Sequence, residues 1–431
     1  MDKETEKIKK WLDDRFTVGV AEGDYFSHQP IYGYDAGRTE GRHLIRYAIT
    51  LSILNRLASC KFDSVVDVGG AEGYTANLIK KIFNVPVVTC DLSFEANLRA
   101  RELFGIDSIA IDITSLPFKD NAFDVVVCSE VIEHLVNPIQ ALFELKRIAR
   151  KAVIITTSSI CYDTVERLLQ MRLIDISEKH PDRNWYMADD FITIFGKDTE
   201  YENIIGDTAL VSSKGCPIEE VKAILKKVSS IHSFTRKGLG ILVTVTKEPN
   251  KRTPCVGIDK IIEAITRSHV KEGHRDNAKD APLSPYLIER LQCVSCGGTI
   301  DEKNDLLTCR KCGTDYTVKN GIPIMYTHGT GYEELIATRR VALSGQVGNK
   351  WPEVEKVERL FRGEIGLWSK VPRFMARRLL KLNIFRYNCI DAIKEKGFFG
   401  GLFGYFFCAM KQKVRREYLR VIKKANLFKG A

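Results

Sequence analysis

Two groups of residues in this chain have types and spacings that could do chemistry. The first is "CVSCGGTIDEKNDLLTCRKCG", where Cys293 and Cys296, then Cys309 and Cys312, form two C-x-x-C pairs, each followed by glycine. Two such knuckles supply four soft thiolates, a complete tetrahedral shell for zinc with no open position, and therefore a structural site. A redox C-x-x-C needs only one pair and a thioredoxin-like setting. The second is "VVDVGGAEG", residues 65–73, an apolar run that ends in an acid and breaks into glycines before a helix. A turn of this kind aims backbone N–H groups and a helix N-terminus at a ligand. Gly69, Ala71 and Gly73 leave one residue, not two, before the last glycine, which departs from the dinucleotide fingerprint. Asp67 would sit badly beside a pyrophosphate but suits a ligand that carries an ammonium group.

Three further run ends carry acids. Asp91 closes the second apolar run, where a carboxylate can accept bonds from both hydroxyls of a ribose. Asp112 closes the third, placed to accept from an exocyclic adenine amine with Ile113 beside the ring. Taken singly, these positions also read as turn glycines, a helix cap and a surface acid; it is their joint occurrence in strand register that points to a ligand. The fourth run leads into "SEVIEHL", where Glu130, Glu133 and His134 share one face if a helix begins at Ser129. Such groups can act as a base toward a hydroxyl. With His180 of "EKHPDRNWYMADDF" they could instead hold a divalent metal, magnesium, manganese or zinc. The plain structural reading is that "EVIEHL" caps a helix and lines the pocket.

The elements that must position these residues follow from the pattern. "SVVDV", "VPVVTCD", "SIAID", "FDVVVCS", "KAVIITTS" and "LGILVTVT" are β-branched runs separated by amphipathic stretches, which predicts an α/β fold with a parallel, doubly wound, Rossmann-like sheet. The expected organisation is a helical segment over 1–44, the sheet domain over 45–247 with an insertion at about 158–232, a helix and linker over 248–285, the cysteine module over 286–327 and a basic, mainly helical tail over 328–431.

"VVDVGGAEG", "TCD", "IDITSLPF" and "FDVVVCSEVIEHL", in this order and spacing, resemble the class I S-adenosylmethionine-dependent methyltransferases, in the group that includes ubiquinone-pathway methyltransferases. The resemblance covers about residues 45–247, with Ala71 standing where many members have glycine. It implies that Asp67, Gly69, Gly70, Ala71 and Gly73 hold the methionine part of S-adenosylmethionine, Asp91 and Leu92 its ribose, and Asp112 with Ile113 its adenine, with Glu130 closing the pocket. Glu130, Glu133, His134 and His180 are similar to the E-x-x-E-H metal set of enzymes that methylate the terminal 2′-hydroxyl of small RNAs. "YLIERLQCVSCGG" and "YTVKNGIPIMYT" are similar to the small zinc-ribbon proteins that activate RNA and protein methyltransferases, which implies a packing or substrate-docking module.

Charge and composition narrow the acceptor. The chain of 431 residues has a net charge of +10, yet residues 331–431 alone carry 22 Lys and Arg against 9 Asp and Glu, or +13. The basic character therefore belongs to the tail. Its segment "KEKGFFGGLFGYFFCAMKQKVRREYLRVIKK" joins apolar and glycine residues to basic ones, a composition suited to an anionic membrane surface, with 395–424 as the contact. No run of 18 apolar residues and no secretory signal is present, which predicts a cytoplasmic enzyme, peripheral to the membrane. The expected activity is O-methylation of a glycan or lipid-linked small molecule. RNA methylation is the second reading, and a non-catalytic cofactor-binding scaffold the third.

Overall fold

β-Branched runs with no turn residues inside them can pair on both sides and bury both faces. In the computed structural model, five of them do so: β1 (Val65–Val68), β2 (Val87–Asp91), β3 (Asp107–Ile111), β4 (Phe123–Ser129) and β5 (Ala149–Thr157). They are parallel neighbours in the order β3-β2-β1-β4-β5. The structure describes residues 1–17, 20–21, 24–25, 27–161, 163–175, 181–204, 210, 213–229, 240–269, 282–303, 305–326, 330–361 and 373–383. The chain divides into two units, Met1–Cys161 with Ile174–Ile365, and Tyr162–Leu173 with Gly366–Ala431.

The first helices of the larger unit are α1 (Lys3–Thr17), α2 (Gly41–Ala58), α3 (Tyr74–Phe83), α4 (Phe94–Phe104) and α5 (Pro138–Ile148). The period of two along the strands splits their side chains between two cores. Val65, Val125, Val127 and Ala152 pack with α2 and α3, while Val66, Val126, Cys128 and Val153 pack with α5 on the other face.

The expected insertion contributes to the sheet. It contains α6 (Thr164–Leu173), α7 (Ala188–Phe195), the strand β6 (Thr199–Ile204) and α8 (Ile218–Ser229). β7 (Gly240–Thr246) pairs antiparallel with both β5 and β6, so that β6 forms an edge. Its sequence, "TEYENI", is half exposed, and this polarity is why it does not read as a strand. In the smaller unit, α6 and a helix over 373–383 bury Leu169, Ala376 and Leu380 together.

After α9 (Ile258–Thr266) and the short α10 (Pro285–Ile288) comes the cysteine module, a meander of β8 (Ile300–Lys303), β9 (Leu306–Cys309), β10 (Asp315–Lys319) and β11 (Ile322–Met325). Asn320 (φ 50°) and Gly321 (φ 69°) make the tight turn between β10 and β11, the left-handed pair that a two-residue hairpin of this hand requires. β11 then pairs parallel with β3, Ile324 opposite Ala110 and Met325 opposite Ile111. One sheet of eleven strands results, β8-β9-β10-β11-β3-β2-β1-β4-β5-β7-β6. Leu291, Leu307, Tyr316 and Met325 join the same core as Val66 and Val126, so the module shares the core of the main sheet. α11 (Thr330–Val347) and α12 (Trp351–Phe361) follow.

No helix among the described residues is long and apolar enough to cross a membrane. The tail segment 395–424 and most of the expected linker lie outside the described residues.

Candidate functional site

The strand order reverses between β1 and β4, and open α/β sheets bind ligands at the carboxyl ends of the strands flanking such a point. A pocket opens there, about 1070 Å³ with its mouth included, compared with roughly 300–1,000 Å³ for ligand clefts in general. Asp67, Gly69, Gly70, Ala71, Asp91, Leu92, Asp112, Ile113 and Glu130 all line it. Gly73 does not: it starts α3 at φ 78°, and a Cβ there would come 2.8 Å from that of Ala100, so it serves the close approach of α4.

The turn is held by its neighbours. Gly69 N and Gly70 N donate to the Cys90 carbonyl at 2.7 and 3.1 Å, and Ala71 N donates to Asp91 Oδ2 at 3.0 Å. A Cβ at Gly70 would overlap Thr89 Oγ1 and the Asp67 carboxylate. Ala71 itself lies at φ 48°, a left-handed conformation that costs an L-residue about 1 kcal/mol. That cost is a physical reason for glycine at this position.

The acids are buried and incompletely matched. Asp67 Oδ2, Asp112 Oδ2 and Glu130 Oε1 have no hydrogen-bond partner among the described residues, and buried carboxylate oxygens are expensive to leave so. Burial, then the Asp91 carboxylate, pushes the Asp67 carboxyl up to about 7. Burial pushes Asp91 up to about 6 against the backbone N–H groups of Ser93 and Ala71. Asp112 is raised by burial too, although its Oδ1 accepts from both Thr114 N and Thr114 Oγ1. On the side of β1, β2 and β3 the wall is rich in acids, the chemistry of a site that takes a ligand bearing amines and hydroxyls.

The expected helical face at Glu130, Glu133 and His134 does not form. Glu130 takes φ 56°, which turns the chain sharply at the end of β4, and only a single 3₁₀ turn follows over Ile132–His134. Glu130 and His134 reach the pocket, whereas Glu133 is absent from its wall, 1 % exposed, and its Oε2 accepts from Thr157 Oγ1 at 3.1 Å. Burial, then Glu130, pushes Glu133 well above the carboxylate range. His180 lies outside the described residues. Among the described residues, the only group of three or more His, Cys, Asp or Glu ligand atoms that converges is the four-cysteine cluster. The E-x-x-E-H metal face is therefore not assembled by Glu130, Glu133 and His134.

His134 is instead held by the segment after His180. Its Nδ1 lies 3.2 Å from the Pro181 carbonyl and 3.4 Å from Asp182 Oδ1. Asn184 Nδ2 donates to the carbonyls of Ile132 and Leu135, and the Tyr186 hydroxyl to that of Ile132. Burial lowers the His134 pKa, against the Asp182 carboxylate, so the imidazole is neutral near pH 7 and able to accept a proton.

Sequence reasoning missed one wall. Ile8, Leu12 and Phe16 of α1 line the pocket, and their spacing of four residues was the available signal. α1 is tied down by Ser93 Oγ, which donates to Asp13 Oδ1 at 2.7 Å, and by Glu4 with Arg183 at 3.1 Å. Arg46, from α2, was missed as well.

At the four cysteines, Sγ atoms of Cys293 and Cys312 are 3.6 Å apart and those of Cys296 and Cys309 3.5 Å, all four lying within 4.8 Å. Zinc–sulfur bonds of about 2.3 Å place tetrahedral sulfurs roughly 3.8 Å apart. Gly297 (φ 68°) and Gly313 (φ 71°) turn the knuckles, which explains the glycine after each pair. Two tyrosines, one at the end of the module and one just after it, reach the pocket loops. The Tyr326 hydroxyl donates to the Leu92 carbonyl at 2.6 Å, and that of Tyr332 lies 3.1 Å from Thr114 Oγ1, the group bonded to Asp112.

Comparison with known proteins matches residues 66–156 to a family described as a methyltransferase domain. An uncharacterized protein of Methanocaldococcus jannaschii is 29% identical over 203 residues, covering 46% of this chain and 84% of its own. Among solved structures, geranyl diphosphate C-methyltransferase from Streptomyces coelicolor is 14% identical with a TM-score of 0.38, over 57% of this chain and 98% of that one. A chain of the Haloferax volcanii complex containing the Trm112 methyltransferase activator is 17% identical with a TM-score of 0.36, over 50% and 96%. The matched family spans the strands whose ends form the pocket, so this part of the chain is an S-adenosylmethionine-dependent methyltransferase domain.

Proposed function

We propose that the pocket holds S-adenosylmethionine and that the enzyme methylates a hydroxyl of a glycan or lipid-linked small molecule. The observation that carries the cofactor placement is the convergence of Asp67, Asp91 and Asp112, from the ends of three adjacent strands, on one pocket with two of their buried oxygens unmatched. Asp67 accepts the ammonium, Asp91 the ribose hydroxyls and Asp112 the adenine amine, with Ile113 and Leu92 against the rings. Gly69 and Gly70 let the backbone approach the methionine part, and Ala71 completes the turn. When bound, the cofactor supplies an electrophilic methyl group on a sulfonium. The chain's own contribution is to exclude water, through Ile8, Leu12 and Phe16, and to hold the acceptor in line. His134 takes the acceptor's hydroxyl proton, which the neutral imidazole beside Asp182 supports. The four thiolates hold a structural zinc.

The near-neutral body and the aromatic, basic segment after Gly397 support a lipid-linked acceptor over RNA. Methyl-labelled cofactor, incubated with the enzyme and an extract of its source cells, should put label into the lipid or glycan fraction. Label confined to RNA would replace this acceptor with the second reading.

His134→Gln should lower turnover on the order of 100-fold with little change in affinity for S-adenosylhomocysteine, measured by single-turnover label transfer and calorimetry. Unchanged turnover would remove His134 as the base.

Asp67 also makes a pH prediction. Its folded pKa of about 7 is above its unfolded value, roughly 3.9. The stability it contributes to the unliganded protein is thus full below about pH 4 and lost as pH rises through about 7. An ammonium beside it favours the ionised form. The thermal shift caused by S-adenosylhomocysteine should therefore grow between about pH 5.5 and 7.5; a flat or falling shift would place the ammonium elsewhere.

A further inference from the structure

β5 runs out into "TTSS", residues 156–159, and two of these hydroxyls support the turn that carries His134. Thr157 Oγ1 donates to Glu133 Oε2 at 3.1 Å, and Ser159 Oγ donates to Asp182 Oδ2 at 2.9 Å. The backbone after Asp182 is fixed from two sides. Arg183 N and Asn184 N donate to the Glu133 carbonyl at 2.7 and 2.9 Å, while Tyr186 N donates to the Ser159 carbonyl and Cys161 N to that of Tyr186, both at 2.7 Å. With one carboxylate oxygen on Ser159, the other lies 3.4 Å from His134 Nδ1, and the Pro181 carbonyl lies 3.2 Å from the same nitrogen. A carbonyl and a carboxylate only accept, so the ring proton sits on Nδ1 and the lone pair on Nε2.

We propose that Asp182, pinned by Ser159, is the positioning residue of the base: it holds His134 in the tautomer with a basic Nε2 and stabilises the imidazolium that forms there. The inference rests on His134 being the base. The proton leaves the acceptor oxygen for Nε2, and the oxygen keeps the electron pair of the broken O–H bond. The ring then carries a positive charge at a buried position, which burial opposes. The charges that act on it are those of Asp182, which favours the imidazolium, and of Arg183 and Arg46, which oppose it.

The test compares the full chain with its Asp182→Asn and Ser159→Ala variants, using calorimetry with S-adenosylhomocysteine and thermal unfolding as checks on the pocket and the fold. NMR titration of the His134 imidazole, assigned by its loss in His134→Gln, needs no acceptor. In Asp182→Asn the pKa of His134 should fall by about 1 unit. Label transfer from saturating cofactor into cell extract should fall at least about tenfold, with the acidic limb of its pH profile displaced downward by the same amount as the pKa. Ser159→Ala should move both in the same direction by less, because the carboxylate remains but is no longer held. An unchanged His134 titration, or unchanged transfer, in Asp182→Asn overturns the role of Asp182 and leaves His134 as the base, even where a change in packing lowers Tm. Undiminished transfer by His134→Gln overturns the base and this role together.

Discussion

Replacing Asp91 with alanine is expected to weaken binding of S-adenosylhomocysteine on the order of 1000-fold. Two hydrogen bonds from ribose hydroxyls to an ionised carboxylate are worth about 1.5–3 kcal/mol each, or roughly 3–6 kcal/mol together. Asp91 also organises its surroundings: Oδ2 accepts from Ala71 N at 3.0 Å and Oδ1 from Ser93 N at 2.9 Å. Its loss therefore releases the glycine turn as well as the ribose. Asp91→Asn keeps one acceptor oxygen and the side-chain volume, and should recover part of the affinity. Stability should fall as well, since the N–H groups of Ala71 and Ser93 lose their acceptor, an effect offset in part because burial opposes this charge in the unliganded protein. Calorimetry on the three proteins measures the effect, and an affinity for Asp91→Ala within about threefold of wild type would move the ribose away from this residue.

If the four thiolates hold zinc as proposed, removing it should damage both stability and cofactor binding. Structural zinc contributes on the order of 10 kcal/mol to small zinc domains, and here the module continues the main sheet through β11 on β3. Its residues Leu307 and Tyr316 are part of the core that contains Val66 and Val126. Cys296→Ser, or treatment with a strong chelator, should lower Tm by more than about 10 °C. Cofactor affinity should fall with it, since Tyr326 and Tyr332 hold the loops after β2 and β3. Tyr326→Phe separates the two effects: it leaves the thiols intact and removes one hydrogen bond, worth about 1 kcal/mol, or roughly fivefold in affinity. A chelated protein that keeps its Tm and its affinity would make the cluster dispensable.

How much of this was legible before the structure depends on whether the signal was local. The strands around Val65–Val68 and Phe123–Ser129 were readable because burial on both faces forces continuous apolar runs, and the acids at their ends follow from strand length alone. The four cysteines were readable as one cluster because two C-x-x-C pairs form compact knuckles, and their sulfurs lie within 4.8 Å of one another. Glu130 was misplaced because "SEVIEHL" satisfies helix periodicity, while the chain takes φ 56° at Glu130, a conformation that periodicity cannot signal. β6 was hidden by its exposed edge, whose polar residues lack an apolar pattern. That β11 completes the main sheet, and that Tyr326 and Tyr332 support loops more than 200 residues earlier in the chain, are long-range pairings with no local trace. α1 left its Ile8, Leu12 and Phe16 stripe in plain view, but only the pocket shows what the stripe covers.

The most direct test of the cofactor site is a crystal structure of the full chain with S-adenosylhomocysteine. Expected is density in the pocket with the ribose hydroxyls on Asp91, the ammonium on Asp67 and the adenine amine on Asp112, beside Ile113. A ligand seated with its ribose away from Asp91, or bound anywhere other than between the glycine turn and α1, would contradict it.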